Sequence, residues 1–353
     1  MAFITLNEQK LKHNFDHLNA FFSHHGIEWS AVTKILCGNE KYLTALLNMG
    51  ISQYSDSRIS NLKTIKAIDS SAQTIYIKPP AKGVIKEVIK YADISMNTDI
   101  RTIERLSQEA QKQNVIHKII IMIDLGELRE GVMRDDFIAF YAKVFELPNI
   151  EITGLGTNLS CLYGVLPNND KLIQLSLYKQ LVEAKFNVSI PYISGGSSVT
   201  IPLVKQGLIP KGINHFRIGE TLFMGNDVYN NEPFDSMENN VFSLYAEIIE
   251  LYEKPLVPSG EMGTNLEGKT TEFDKDNYGK TTIRAIIDIG LLDIDICGPS
   301  VPRMMGLRGR GVTHWRPSFG ISKCSRGMSL RMRSPLASDT RTAGILTLRQ
   351  ASA

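Results

Sequence analysis

The 353-residue sequence has few cysteines and no long apolar run. No Cys-x-x-Cys pair occurs, which argues against a zinc site and against a disulfide framework; the four cysteines are Cys37, Cys161, Cys297 and Cys324. No apolar segment approaches the roughly 18 residues that a membrane span needs, and the first residues lack the pattern of a signal peptide. We therefore expect a cytoplasmic protein with free thiols, no metal and no membrane partner.

Net charge is also small, at +2, but it is unevenly distributed. Residues 301–353 contain nine Arg and one Lys against one Asp, a balance of +9, so residues 1–300 carry −7. The arginines are scattered among Ser, Gly and Met, without the aromatic interleaving or helical period of a nucleic-acid-binding arm. We therefore expect no nucleic-acid partner.

Short β-rich runs alternate with longer amphipathic runs between about residue 27 and residue 218. This alternation predicts βα units around a parallel sheet. Eight candidate strands, the number that closes a barrel, are found at 28–34, 53–57, 74–78, 92–97, 118–124, 150–157, 191–194 and 215–218. Apolar residues at three- and four-residue spacing predict helices, among them 7–25, 39–48, 58–67, 100–113, 135–145 and 171–186.

The alternation stops near residue 230, which divides the chain. We expect an α/β fold in which residues 1–228 form a (β/α)8 TIM barrel and residues 229–299 form a smaller, incomplete β-rich C-terminal domain. Strand-like runs at 241–252 and 280–289 support the second domain. Residues 300–353 form an atypical basic tail, which we interpret as disordered or frameshifted because it cannot bury enough apolar area to offset chain entropy.

Lys34 is a candidate nucleophile because it ends the first predicted strand and precedes a Gly-Asn helix start. Barrel chemistry takes place at the C-terminal ends of the strands. Partial desolvation there would lower the pKa of the Lys34 amine and free the form that an imine needs. A lysine at a strand end is more often a solvated surface residue, so this position alone decides nothing.

Glycine- and hydroxyl-rich segments follow the seventh and eighth predicted strands, SGGSS at 194–198 and RIGET at 217–221. Glycines let backbone N–H groups approach a phosphate, and hydroxyls add donors. Either segment alone could be an ordinary turn, but together they occupy the two places where such barrels hold phosphate. With a lysine opposite, the pattern favours pyridoxal phosphate over a sugar phosphate.

Five separated segments carry a resemblance to a known family: HGIEWSAVTKILCGN, SDSRISNLKTIK, TIYIKPPAK, DLGELREGVM and INHFRIGETLF. In this order they resemble the barrel domain of the alanine-racemase superfamily, the fold type III pyridoxal-phosphate enzymes, and its ornithine-racemase branch in particular. The resemblance covers about residues 5 to 225. It implies a pyridoxal-phosphate-dependent amino-acid racemase, with ornithine as the favoured substrate, and a homodimer that builds each site from two chains.

The resemblance also implies roles for individual residues. Lys34 would be the catalytic lysine that binds the cofactor as a Schiff base, and Arg217 would face the pyridine nitrogen and keep it unprotonated. Arg129 would lie near the phenolic oxygen of the cofactor. Asn158 replaces a histidine that packs on the ring in many relatives, so we expect it to form hydrogen bonds instead. The phosphate would be bound by Ser197 or Ser198 together with the backbone of Gly219, Glu220 and Thr221.

Two parts of the site stay open. Asp56 and Arg58, at the end of the second predicted strand, either line the site or serve the following helix, where Asp56 would cap. Racemisation needs a second acid or base on the opposite face of the substrate. The family supplies a tyrosine, but the comparable stretch SGEMGTNLEG has none. Met262 cannot transfer a proton, and Glu261 and Tyr278 are more typical of solvated loops.

Three functional hypotheses therefore compete. The first is the amino-acid racemase, and the second is a non-catalytic pyridoxal-phosphate homeostasis protein, which the family builds as a lone barrel. The third is a fold type III decarboxylase or aldolase. The roughly 120 residues beyond the barrel count against the second hypothesis. Arg217 counts against the third, because those relatives place a carboxylate at the pyridine nitrogen.

Overall fold

The computed structural model describes residues 3–234, 236–264, 268, 270–288 and 328–333. Among them the chain forms two compact units. The larger is Leu6–Phe242, and the smaller contains residues 3–5, 243–288 and 329–333. The predicted boundaries at 228 and 299 stay predictions. Apart from one strand, the predicted basic tail at 300–353 lies outside the described residues.

The larger unit contains the predicted eight-stranded parallel barrel, and the smaller unit contains an antiparallel sheet. In the first part of the chain the elements are β1 (Phe3–Leu6), α1 (Glu8–His24), β2 (Glu28–Val32), α2 (Glu40–Leu47), β3 (Gln53–Asp56), α3 (Ile59–Ile68), β4 (Gln73–Tyr76), α4 (Ile85–Tyr91), β5 (Ile94–Asn97) and α5 (Ile100–Lys112). They continue with β6 (His117–Met122), α6 (Phe137–Phe145), β7 (Ile150–Gly156), α7 (Asn169–Phe186), β8 (Tyr192–Ser197), α8 (Ile201–Lys205), β9 (His215–Ile218) and α9 (Glu220–Met224). Strands β2 to β9 close the barrel, so the fold class predicted from the alternation is confirmed.

Helix α1 shows which residues of the neighbouring strands face the barrel interior. Its buried apolar residues recur at three- and four-residue spacing, and the ring of Phe22 lies 5.9 Å from the rings of Trp29 and Phe216. These two aromatic residues pair across β2 and β9. Because successive strand residues point to opposite faces, His215 and Arg217 on β9 face the interior instead.

Two strand ends differ from the expectation, and both differences concern the site. The segment SGGSS, expected as a loop, begins inside β8, which continues to Ser197 because its register against β9 shifts between Ser194 and Ser197. Strand β2 stops at Val32, and a short 3-10 helix, Thr33–Leu36, carries Lys34 beyond it. The chain therefore turns across the barrel mouth at Lys34 instead of continuing along the strand.

The smaller unit contains a four-stranded sheet, which confirms the β-rich second part of the fold class. Its strands are β1, β12 (Phe242–Pro255), β13 (Thr281–Asp288) and β14 (Met328–Arg333). In the larger unit, the short strands β10 (Asn226–Asp227) and β11 (Glu232–Pro233) pair with each other. β12 and β13 pair antiparallel and correspond to the predicted runs at 241–252 and 280–289. Every helix among the described residues is too short or too polar to span a lipid bilayer.

Candidate active site

Lys34 lies at the C-terminal mouth of the barrel with a partly buried side chain. Its amine has no hydrogen bond or ion pair with any described residue. Burial, and next the positive charge of Arg129, lowers the pKa of Lys34, whereas Asp56 and Cys161 act in the opposite direction. Desolvation and a nearby cation both favour the neutral amine, which is the form that attacks a carbonyl carbon.

Asp56 stabilises the turn that contains Lys34 through hydrogen bonds. Its buried carboxylate accepts hydrogen bonds from Thr33 Oγ1 at 2.7 Å, from Asn61 Nδ2 at 3.1 Å and from the backbone N–H of Arg58 at 2.9 Å. Burial raises the pKa of Asp56, and these three bonds oppose the rise. Asp56 thus binds the start of α3 and the Lys34 turn together, and Arg58 takes part through its backbone.

Arg217 is buried and held by three acceptors. Nη2 donates to the Thr157 carbonyl oxygen at 2.8 Å and to Asn158 Oδ1, and Nη1 donates to Ser194 Oγ. Burial lowers the pKa of Arg217 to about 10, so the guanidinium stays charged at neutral pH. Its Nε–H and second Nη1–H have no partner among the described residues, which leaves them able to donate to an acceptor bound in the mouth.

Asn158 connects Arg217 to an ion pair. Its Nδ2 donates to Glu130 Oε1, and Glu130 Oε2 lies 2.9 Å from Arg129 Nε. The amide therefore accepts from one cation and donates to the carboxylate that binds the other. This arrangement orients Arg129, whose side chain is 44% exposed, and holds it beside the barrel mouth.

A small-residue cradle surrounds Ser198, which begins a 3-10 helix after β8. Its Oγ accepts from the backbone N–H groups of Gly219 at 3.4 Å and Thr221 at 3.3 Å. These hydrogen bonds are long and therefore weak, so both N–H groups can donate instead to a stronger acceptor such as a phosphate oxygen. A Cβ at Gly219 would lie 3.1 Å from Val32 Cβ, so a larger residue would crowd the cradle. The residues present fit a phosphate-bearing cofactor.

Sequence reasoning missed Glu127, whose carboxylate is buried beneath the loop after β7. It accepts five backbone N–H groups, at 3.2, 2.7, 2.5, 2.9 and 2.9 Å, from Ser160, Cys161, Leu162, Tyr163 and Val165. Burial alone would raise the pKa of Glu127, but the N–H donors hold it below the usual range. Glu127 therefore fixes the loop that follows Asn158, and the letters DLGELREG give no sign of this role.

The remaining candidates are divided between the two units. Ser197 ends β8 with a partly exposed side chain, and Glu220 begins α9. The candidates for the second acid or base, Glu261, Met262 and Tyr278, are exposed residues of the smaller unit. The barrel unit thus supplies Lys34, Arg129, Asn158, Ser198, Arg217 and the backbone of 219–221.

Comparison with known proteins decides the family. The model of the alanine racemase N-terminal domain matches residues 6–227, which include every barrel residue of the site. This chain belongs to the alanine racemase family. The match confirms the resemblance drawn from the five sequence segments.

Two curated members of the alanine racemase family align with most of the chain. An ornithine racemase from Acetoanaerobium sticklandii is 36% identical over 83% of this chain and 82% of its own length. A lysine racemase from Thermotoga maritima is 33% identical over 84% of this chain and 82% of its own length. The solved alanine racemase from Streptomyces coelicolor A3(2) shares the fold, with a TM-score of 0.60 and 14% identity over 80% of this chain and 73% of that one.

Proposed function

We propose that this chain is a pyridoxal-phosphate-dependent racemase that interconverts the L and D forms of a basic amino acid, with ornithine as the favoured substrate. The observation that carries the proposal is the pair of cations at the ends of β2 and β9. Among the described residues, Lys34 is a desolvated amine without a partner, and Arg217 is a buried guanidinium with three acceptors and two donors still unused. The ornithine and lysine racemases among the relatives support a basic substrate.

The cofactor would be bound by groups on three sides of the mouth. Lys34 would form the imine with it, and Arg129 would lie near its phenolic oxygen. Ser198 and the N–H groups of Gly219 and Thr221 would bind its phosphate, with Ser197 and Glu220 at the edges of the same cradle. Because the cradle is built from backbone N–H groups, its fit depends on the small residues around it more than on side-chain charge.

The protein groups then divide the work. When bound, pyridoxal phosphate would withdraw electrons from the α-carbon of the substrate and make its proton acidic. Lys34 would remove this proton from one face and return one to the same face. Arg217 would donate a hydrogen bond to the ring nitrogen without giving up a proton, which would limit the electron withdrawal. Return of the proton to the α-carbon is therefore favoured over transamination, decarboxylation or aldol cleavage.

The proposal includes the cytoplasm as compartment and a homodimer as assembly. Neither Cys37 nor Cys161 forms a disulfide, in keeping with a reducing compartment. A homodimer is proposed because racemisation needs an acid or base on both faces of the α-carbon, and the barrel unit supplies Lys34 for one of them.

Incubation of the cofactor-loaded protein with L-ornithine, L-lysine and L-alanine in deuterated buffer tests the proposal. We expect deuterium at the α-carbon together with inversion, fastest for the basic amino acids, and neither in Lys34→Ala. Exchange without inversion would indicate a working lysine face only and contradict the racemase, and absence of both in the wild type would favour the non-catalytic homeostasis hypothesis. Release of carbon dioxide or an aldehyde would favour the decarboxylase or aldolase instead.

A further inference from the structure

A chain of buried polar side chains leads from Arg217 towards the opposite end of the barrel. Ser194 Oγ lies 2.8 Å from His215 Nδ1, and His215 Nε2 lies 3.0 Å from Gln53 Oε1. Gln53 Nε2 then donates to Glu28 Oε2 at 3.2 Å, at the first residue of β2. Ser194, His215 and Gln53 are at most 4% exposed, so the hydrogens must be shared within the chain.

The Arg217 end fixes one role only. A guanidinium has only donors, so Ser194 Oγ accepts from Arg217 Nη1. The Ser194 hydroxyl still has its hydrogen and a second lone pair, so from this end the bond to His215 Nδ1 can run in either direction.

The opposite end decides the tautomer. The carboxylate of Glu28 only accepts, and it receives a hydrogen bond from the Tyr192 hydroxyl at 3.2 Å and another from Gln53 Nε2. The amide oxygen of Gln53 therefore points at His215 and needs a donor there. The Gln53 end thus requires a hydrogen on His215 Nε2. A neutral imidazole has one N–H, so Nδ1 carries none and accepts from the Ser194 hydroxyl.

We propose that His215 is a positioning residue for the reaction: as the neutral Nε2–H tautomer it orients Ser194, and through Ser194 the guanidinium of Arg217. This inference rests on the proposed function, because Arg217 is the group that would meet the ring nitrogen of the cofactor. With Ser194 fixed as acceptor, one Nη1–H of Arg217 is bound, and the other Nη1–H and the Nε–H, which have no partner among the described residues, stay available to an acceptor in the mouth.

The surroundings of His215 keep it neutral. Burial, and next the positive charge of Arg217, lowers the pKa of His215 to about 3. The ring of Tyr192, whose hydroxyl is bound to Glu28, lies 5.4 Å from the imidazole ring. A second hydrogen on His215 would leave Ser194 without an acceptor and would place a cation beside Arg217, so the chain is consistent only with the neutral ring.

Two substitutions separate the two bonds of His215. His215→Asn keeps an acceptor at the place of Nδ1, so Ser194 and Arg217 should stay oriented. His215→Gln keeps a polar group at the place of Nε2 and removes the acceptor for Ser194. We expect His215→Gln to raise the proportion of turnovers that end in transamination about tenfold, as loss of a hydrogen bond supporting a charged group predicts, and His215→Asn to leave it near the wild-type value.

His117 provides the matched control. It is a second buried histidine of the barrel, its Nε2 lies 2.8 Å from Ser95 Oγ, and burial lowers its pKa to about 4. Its hydrogen bonds do not lead to Arg217. His117→Asn should lower the melting temperature without changing the proportion of transamination. If it changed this proportion as much as His215→Gln does, the effect would be one of general stability and the inference would fail.

A measurement on the cofactor-free protein tests the tautomer directly. Nitrogen-15 spectra of histidine-labelled protein should show two rings that stay neutral down to about pH 5, those of His117 and His215, and the ring missing from His215→Asn should carry hydrogen on Nε2 only. Hydrogen on Nδ1, or an imidazolium at neutral pH, would overturn the inference. A wild-type protein that exchanges no α-proton would contradict the proposed function, while the spectrum would still decide the state of His215.

Discussion

The ends of β2 and β9 lie side by side in the barrel, yet the cationic side chains at these two ends have opposite hydrogen-bonding environments. Ser30 of β2 pairs with Arg217 of β9, and Lys34 lies in the short 3-10 helix that follows β2. Burial lowers the pKa of both cations. Arg217 has three acceptors and a very high starting pKa, so it keeps its charge, whereas Lys34 has no acceptor among the described residues. The hydrogen-bond acceptors around each cation thus explain why Arg217 keeps its charge while Lys34 is the candidate nucleophile.

Removal of the Lys34 amine should have the largest effect. Lys34→Ala should abolish the visible absorbance of the imine-bound cofactor and lower racemisation by roughly four orders of magnitude, because both the imine and the proton transfer are lost. Lys41→Ala, at an exposed position on α2, is the control and should change neither quantity. A visible band that survives in Lys34→Ala would assign the imine to another residue.

Replacement of the Arg217 guanidinium by a carboxylate should have the second-largest effect. A carboxylate in Arg217→Glu favours a protonated ring nitrogen, which strengthens electron withdrawal. We expect racemisation to fall by roughly 100-fold and keto-acid by-product to increase, measured by chiral chromatography and a keto-acid assay. Circular dichroism would check that the barrel still folds. An unchanged ratio of racemisation to by-product would show that Arg217 does not meet the ring.

The buried histidines His117 and His215 differ from both cations, because burial keeps them neutral. The pKa values of His117 and His215 are lowered from 6.5 to about 4 and about 3. As pH falls below 6.5, the unfolded chain takes up protons that the folded chain does not, so the free energy of unfolding should fall by ~1.4 kcal/mol per pH unit for each residue. Denaturant unfolding at pH 7, 6 and 5 should show a shallower dependence in His117→Asn, and identical slopes would refute the assignment.

Local sequence patterns predicted the barrel and the strand-end residues because each depends on near neighbours. The alternation of strand and helix runs indicates the strands, and strand ends of a barrel converge at one mouth, so the pattern indicated Lys34, whereas the role of Arg217 was implied by the resemblance to the family. The first strand and helix α4 were not among the predicted elements, since both are short: Phe3–Leu6 and Ile85–Tyr91.

The polar supports of the site could not be predicted, because they join residues distant in the chain. The five N–H groups that bind Glu127 come from residues 160–165, and His215 meets Gln53 from the other end of the barrel unit. Glu, Gln and His are usually surface residues, and no local period shows that their side chains share an interior. The strand character of SGGSS was missed for a related reason, since it depends on the register shift against β9.

The smallest predicted effect concerns the carboxylate that acts against the low pKa of Lys34. Asp56 raises the pKa of Lys34, opposing burial and the charge of Arg129, so Asp56→Asn should lower it further. A lower pKa leaves more neutral amine on the acid side, and the pH profile of imine formation should therefore shift to lower pH. The side-chain oxygen of asparagine can still accept from Thr33, which limits the loss of structure.

Stopped-flow mixing of cofactor-free protein with pyridoxal phosphate across a range of pH would measure this shift as the rise of visible absorbance. Below the midpoint we expect Asp56→Asn to react a few times faster than the wild type, because the rate follows the fraction of neutral amine. Asp16→Asn, on the exposed face of α1, should leave the profile in place. A shift of the Asp56→Asn profile to higher pH would mean that Asp56 acts on Lys34 through the position of the turn and not through its charge.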